Sequence, residues 1–500
     1  MSALKVESEY FDHEELTHEQ IQSRSIRGGI MLTVRRALLK LVALLAFIVL
    51  GWLLEPAEFG VFAIVSFIVS FFAYFSDVGL AAALIQKKDR LTITDIRTTF
   101  TIQQILVFSI TLILVSAAPF IISRFYADQL ETSAGLLVQA LGLSLILASL
   151  KSVPSALLER RLQFDKLVLP EIVETLLYNG LTVLLAWQGF GVWSFIIAML
   201  ARGIVGTILI YILCPWPIGF AFNKHSAKKL FSFGVPFQLN SFIALIKDNV
   251  VPTFVAGYLG PAAVGNINWA QKYAFLPLEI LNDIIRVTFP AYSRLQHDTQ
   301  LLRKALERSL YLISLLLFPM IAGLLALMPL ITLYILNPKW LPALPVFYLL
   351  SINTMWATIS TTFTNALFAV GKSAIVLRYM IIWTILTWIL VPFFTFLFQD
   401  IRGLGFAQAL IACTSLGLIL EVRRVVHVSI LPQIWTNAVA AILMGLILFV
   451  TAPLYVNHLL TLIMHIIFGV ILYASFILLF SKKRVLAEYR SLLSKIKSAK

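Results

Sequence analysis

Apolar stretches long enough to cross a bilayer recur fourteen times along this chain, at 34–54, 59–85, 100–123, 134–150, 168–187, 190–213, 230–257, 262–288, 309–335, 341–369, 374–398, 403–420, 433–453 and 456–480. A spanning helix needs ~20 mostly apolar residues. Within hydrocarbon every backbone polar group must be satisfied by the protein itself, so such stretches fold as helices. The expected fold class is therefore an all-α polytopic membrane protein with about fourteen transmembrane helices. A composition of 60% hydrophobic and 13% charged residues excludes a disordered chain and an ordinary soluble globule.

The basic residues set the orientation. With the N-terminus in the cytoplasm, 33 of the 39 Lys and Arg fall in inside loops and ends. Only Arg124, Lys339 and Arg402 fall outside, and Arg202, Lys247 and Lys272 fall within spans. That asymmetry predicts a multi-pass protein with both termini cytoplasmic. It also accounts for the net charge of +14, spread along an anionic leaflet. No nucleic-acid motif accompanies that charge. Residues 1–30 are polar and mixed in charge, unlike a signal peptide.

The chain repeats. Glu55-Pro-Ala-Glu-Phe-Gly60, between spans one and two, returns as Gly260-Pro-Ala-Ala-Val-Gly265 between spans seven and eight. Gly189-Phe-Gly191 returns as Gly403-Leu-Gly405, and Ala156-Leu157 as Ala366-Leu367. The order is kept, so two six-helix halves around a central cavity are expected, followed by two added helices. The organisation read from this is a cytoplasmic tail (1–30), an N-terminal bundle (31–222), a C-terminal bundle (223–430), two further spans (431–481) and a basic cytoplasmic tail (482–500).

Charges within spans are costly unless they face a protein or water interior. At 1.5 Å per residue, Arg202, Lys247 and Lys272 all fall roughly 15–18 Å from the outer surface. Asp248 lies at the same depth, within reach of Lys272 on the next span. Asn268, Lys272, Glu279, Asp283 and Arg286 share one face of span eight at about 100° per residue. The bland alternative is that the lysines snorkel, or are neutralised by Asp248 and Glu279 as structural pairs. Span ten carries many hydroxyls and amides. Among them Asn353, Trp356 and Ser360 share a face suited to sugars, although Ser and Thr also bond their own helix backbone. The segment 301–308 reads as an interfacial helix joining spans eight and nine. The histidines lack metal-ligand spacing, Cys214 and Cys413 sit in apolar stretches, and no Gly-rich phosphate loop is present. Neither a metal, a cofactor nor an enzyme activity is expected.

Several segments together resemble a known family. They are 53–62 (Leu-Leu-Glu-Pro-Ala-Glu-Phe-Gly-Val-Phe), 75–85, 157–164 (Leu-Leu-Glu-Arg-Arg-Leu-Gln-Phe), 189–193, 233–236, Asp248, 257–260 and 289–294, then Pro319, Gly323, Trp340 and 366–372. In this order they are similar to the bacterial polysaccharide transporters, Wzx-type lipid-linked oligosaccharide flippases of the MOP superfamily. The colanic-acid-exporter-like branch is nearest, and the likeness covers about residues 30–430. The resemblance implies a bacterial inner-membrane protein that flips a polyprenyl-diphosphate-linked oligosaccharide for exported polysaccharide synthesis, by alternating access. Its implied partners are membrane lipids and a polymerase or export machinery. On that reading Arg202, Lys247, Lys272, Asp248 and Asn268 face the diphosphate. Asp77, Glu279 and Asp283 serve ion coupling or gating, and Asn353, Trp356 and Ser360 contact sugar. The alternative function is a multidrug or small-molecule cation antiporter of the same superfamily, which would favour an acidic cavity.

Overall fold

The structure is a computed structural model that describes residues 38–75, 79–86, 91–125, 134–161, 163–228, 231 and 254–498. Among these residues there is no strand. Among the described residues, eleven helices are long and apolar enough to cross a membrane, and Leu38–Leu53 (α1) is a shorter apolar helix. The protein is thus a polytopic all-α membrane protein. Expected span seven lies mostly outside the described residues. Span eight is broken into two helices, Pro261–Ala274 and Leu276–Arg294.

Two compact units are formed, Met1–Gly265 and Asn266–Lys500. In the first, α1 is followed by α2 (Pro56–Ala73), α3 (Leu80–Gln86), α4 (Ile93–Phe125), α5 (Ala134–Arg160), α6 (Phe164–Trp187), α7 (Trp193–Leu213) and the short α8 (Ala256–Leu259). The expected second span is two pieces, because α2 ends at Ala73. The fourth runs ten residues past its expected end at 150 to Arg160, carrying Lys151 into the helix rather than into a loop. The helix pairs α4–α5, α6–α7 and α5–α7 pack most extensively. One buried cluster joins Leu80, Leu84, Phe100, Leu157, Ile210 and Trp216.

The repeated motif explains itself here. Glu55 and Glu58 form a capping box, with Glu55 N–H donating to Glu58 Oε2 at 2.7 Å, and Pro56 fills the first helical position, where no amide is needed. Pro261 opens α9 (Pro261–Ala274) in the same way. A Cβ on Gly60 would overlap the carbonyl oxygen of Pro261, and one on Gly265 would overlap the carbonyl oxygen of Pro56. The two helix starts therefore lie backbone to backbone, an approach that only glycine permits.

Beyond α7 the chain returns as a strap, 217–223, laid on the first turns of α4. Arg97 Nε donates to Pro217 O at 3.1 Å, Ala221 N–H to Thr101 Oγ1 at 3.0 Å, and Asn223 N–H to Thr98 Oγ1 at 3.2 Å. Buried Asp95 accepts from the Ser226 hydroxyl at 2.7 Å. The intervening side chains, Ile218, Phe220 and Phe222, are exposed.

The second unit holds most of α9, then α10 (Leu276–Arg294), α11 (Thr299–Ile331), α12 (Leu344–Ala369), α13 (Ser373–Phe398), α14 (Arg402–Cys413), α15 (Ser415–Val426), α16 (Leu431–Tyr455) and α17 (Leu459–Ser498). Segment 301–308 is not a separate interfacial helix but the first turns of α11, which Asp298 caps through Gln300 and Leu301 N–H. The added helix α16 packs along α11, where Asn437 Nδ2 donates to Tyr311 O at 3.0 Å and Ser314 Oγ at 2.8 Å. Buried Trp269 and Trp340 stack with ring centroids 5.6 Å apart.

Candidate functional site

In the second unit, the polar face of span eight survives the break between α9 and α10. Pro277 has no amide to give, and Leu278 N–H turns back to Phe275 O at 2.9 Å. Ala274 O is met instead by the Thr354 hydroxyl of α12 at 2.9 Å. Across this break Lys272 Nζ lies 3.6 Å from Glu279 Oε1, with both side chains more than a third exposed. The pairing of Lys272 with Glu279 is thus observed, though long and partly exposed. Asn268 is half-buried on the same face one turn earlier, and Asp283 is exposed one turn later. Arg286 lies in α10.

Span ten is α12. Its hydroxyls mostly follow the bland expectation. Ser351, Thr362 and Ser360 donate to the carbonyls of Phe347, Thr358 and Ala357 in their own helix. Asn353 Nδ2 reaches Gln408 Oε1 of α14 at 3.4 Å, and Trp356 is half-buried. Asp77, Lys247 and Asp248 lie outside the described residues.

Arg202, in the first unit, belongs to a group that sequence reasoning did not assemble. Glu174 of α6 is buried; its Oε1 is 2.8 Å from Lys151 Nζ of α5, and its Oε2 is 3.3 Å from Arg202 Nε of α7. The Arg202 guanidinium also lies 5.7 Å from the centre of the Tyr178 ring, one turn along α6. Gly206 makes the room, since a Cβ there would overlap Glu174 Oε1. Each of the three charges is nine or more residues from either end of its helix, or roughly 14 Å in. Deep charges survive by such pairing. The signal that could have found it was Glu174 itself, a carboxylate in the middle of an apolar span, which requires a cation on a neighbouring helix.

Both groups pair basic side chains with carboxylates in a polytopic membrane protein. Among the described residues, no group of His, Cys, Asp and Glu could hold a metal ion.

Comparison with known proteins agrees with this class. Residues 49–345 match the family model described as polysaccharide biosynthesis protein, and the chain belongs to that family. It is 28% identical over 349 residues to the succinoglycan biosynthesis transport protein ExoT of Rhizobium meliloti (strain 1021), covering 68% of each chain. It is 24% identical to the lipopolysaccharide biosynthesis protein WzxC of Escherichia coli (strain K12), covering 73% of this chain and 74% of the relative. Among solved structures, the lipid II flippase MurJ in an inward closed conformation superposes with a TM-score of 0.75 at 13% identity. That match covers 91% of this chain and all of MurJ, a likeness of fold. The resemblance to Wzx-type transporters of the MOP superfamily read from the ordered motifs is borne out.

Proposed function

We propose that this protein is a flippase. It moves a polyprenyl-diphosphate-linked oligosaccharide repeat unit from the cytoplasmic to the periplasmic leaflet of a bacterial inner membrane, for synthesis of an exported polysaccharide. Movement is by alternating access between bundles 31–222 and 223–430, with both termini cytoplasmic, and no covalent bond is made or broken. The observation that carries the reading is the family membership, supported by cations within helices of both units: Lys272 beside the α9–α10 break, and Lys151 and Arg202 roughly 14 Å into spanning helices. A diphosphate needs such cations, and a wet polar face suits the sugar head group, while the polyprenyl tail remains in lipid. Lys272, Lys247, Arg202, Asp248 and Asn268 serve the diphosphate. Asp77, Glu279 and Asp283 serve coupling or gating, and Asn353, Trp356 and Ser360 serve the sugar. The product passes to a polymerase or export machinery. A cation antiporter is the weaker reading, because it would favour acidic sites over these paired lysines and arginine.

The test is deletion of the gene in its host with extraction of lipids. Accumulated polyprenyl-diphosphate oligosaccharide and lost polysaccharide, both reproduced by Lys272→Ala, are expected. Unchanged polymer and lipids would overturn the proposal.

A further inference from the structure

The Lys151–Glu174–Arg202 group is more than a structural ion pair. A self-contained buried pair would be neutral, but this group has two cations and one carboxylate, a formal charge of +1 near mid-span. Glu174 occupies the Nε edge of Arg202. Among the described residues, nothing hydrogen-bonds the two terminal nitrogens of that guanidinium or the Tyr178 hydroxyl. The Arg202 side chain is 42% exposed against 11% for Glu174.

That exposure lies off the exposed apolar stripes of both helices. On α7 the exposed apolar stripe is Ile204, Ile208 and Ile212. At about 100° per residue Arg202 lies about 160°, 120° and 80° around the helix from Ile204, Ile208 and Ile212. On α6 the exposed stripe is Leu169, Leu176, Leu184 and Trp187. Glu174 lies about 160° around from Leu176, about 140° from Leu169 and Trp187, and about 80° from Leu184. Both charges thus lie at least about 80° around their helices from every member of the two stripes.

The geometry points to an oxyanion seat. The terminal nitrogens of Arg202 form a fork that fits two oxygens of one phosphate or carboxylate. Tyr178 flanks it with a hydroxyl and a ring face. Lys151 holds Glu174 in place through its other carboxylate oxygen. Glu174 has two opposing effects on a bound anion: it fixes the fork, and its own negative charge repels the ligand. At an effective dielectric of about 20, two like charges about 7 Å apart repel more than one hydrogen bond gains. Repulsion wins, so Glu174 is the positioning residue that keeps the seat weak enough to release its ligand. A transporter needs that, because cargo held too tightly does not leave. The ligand class is an oxyanion on the cargo, either the lipid diphosphate or an acid group on a sugar. The inference rests on the flippase reading for its biological cargo, but not for the chemistry of the seat.

The experiment measures binding of inorganic pyrophosphate, glucuronate and a polyprenyl diphosphate to the full chain in nanodiscs, by calorimetry at low salt. Wild type, R202Q, R202K, E174Q and K151M/E174Q are compared. R202Q is expected to lose binding at least tenfold, with R202K between it and wild type. E174Q is expected to bind about tenfold tighter and to transport more slowly. The double variant, again at +1, is expected to return to wild-type affinity; it also serves if the unpaired lysine of E174Q prevents folding. The arm that responds to R202Q identifies diphosphate or sugar acid. If R202Q binds every probe as wild type does, or E174Q binds more weakly, the seat is overturned and the flippase reading stands. If pyrophosphate binding depends on Arg202 but no polyprenyl diphosphate binds, the seat stands and the flippase reading falls. If no probe binds wild type, both fall.

Discussion

Gly60 and Gly265, the last residues of the two copies of one sequence motif, each lie against the backbone of the other copy: Gly60 on the Pro261 carbonyl and Gly265 on the Pro56 carbonyl. A repeat seen only as an echo in the sequence is therefore a reciprocal contact in space. Replacing either glycine by alanine puts a methyl group into a carbonyl oxygen that cannot rotate away. Overpacking of this kind typically costs about 1–3 kcal/mol. Gly60→Ala and Gly265→Ala should each lower the melting temperature in detergent. Gly180→Ala is the control, since nothing lies within 4 Å of a Cβ there. It should be neutral or raise the melting temperature, as alanine favours helix over glycine by up to about 1 kcal/mol. Equal effects at Gly60 and Gly180 would refute the packing argument.

Glu174→Ala removes the shared carboxylate from Lys151 and Arg202. Breaking a buried pair by deleting one partner costs about 3–5 kcal/mol, and the figure is smaller here because Arg202 is partly solvated. Purified yield and melting temperature should both fall. Gly206→Ala should give a similar though milder loss, because its methyl displaces Glu174. A Gly206→Ala protein as stable as wild type would contradict the tight fit.

Thr354→Val leaves Ala274 O without its donor at the α9–α10 break. An unsatisfied buried carbonyl costs about 1–3 kcal/mol. Thr354→Ser, which keeps the hydroxyl, should stay near wild type in a thermal unfolding assay, while Thr354→Val drops.

Cys214 follows the end of α7 and is buried, and burial pushes its thiol above the ordinary range, with Arg161 and Lys166 opposing. The thiolate is the reactive form, and a raised value means less of it at any neutral pH. Because the neutral form is favoured in the folded protein, this group's contribution to stability is present at low pH and lost as pH rises past the unfolded thiol value. Maleimide at pH 7 should leave Cys214 unmodified until the protein is denatured, as read by mass spectrometry of the peptide. Rapid native labelling of Cys214 would contradict its burial.

The helices were legible because a bilayer-length apolar run admits few alternatives. The break at Phe275 was partly legible from Pro277, but not the hydroxyl that repairs it, since Thr354 lies 80 residues away. The apolar run ends at 150 and so sets Lys151 in a loop, whereas the helix carries it. Charge marks a helix end only when the chain leaves the membrane there, and here the helix continues to Arg160. Glu174 was passed over for the complementary reason. One carboxylate hardly lowers the hydropathy of a long window, and its partners sit 23 and 28 residues away on other helices. Composition is local, and pairing is not.

The strap at 217–223 is held at Pro217, Ala221 and Asn223 by side chains of α4, and the Phe220 ring meets Phe100 of that helix with centroids 5.8 Å apart. Its anchorage changes where a load is felt. Tension arriving at Asn223 from the chain beyond is delivered through Thr98, Thr101 and Arg97 to the first two turns of α4, and not to the end of α7. The strap and α4 thus act as one lever, whose fulcrum is the packing around Phe100 and Trp216.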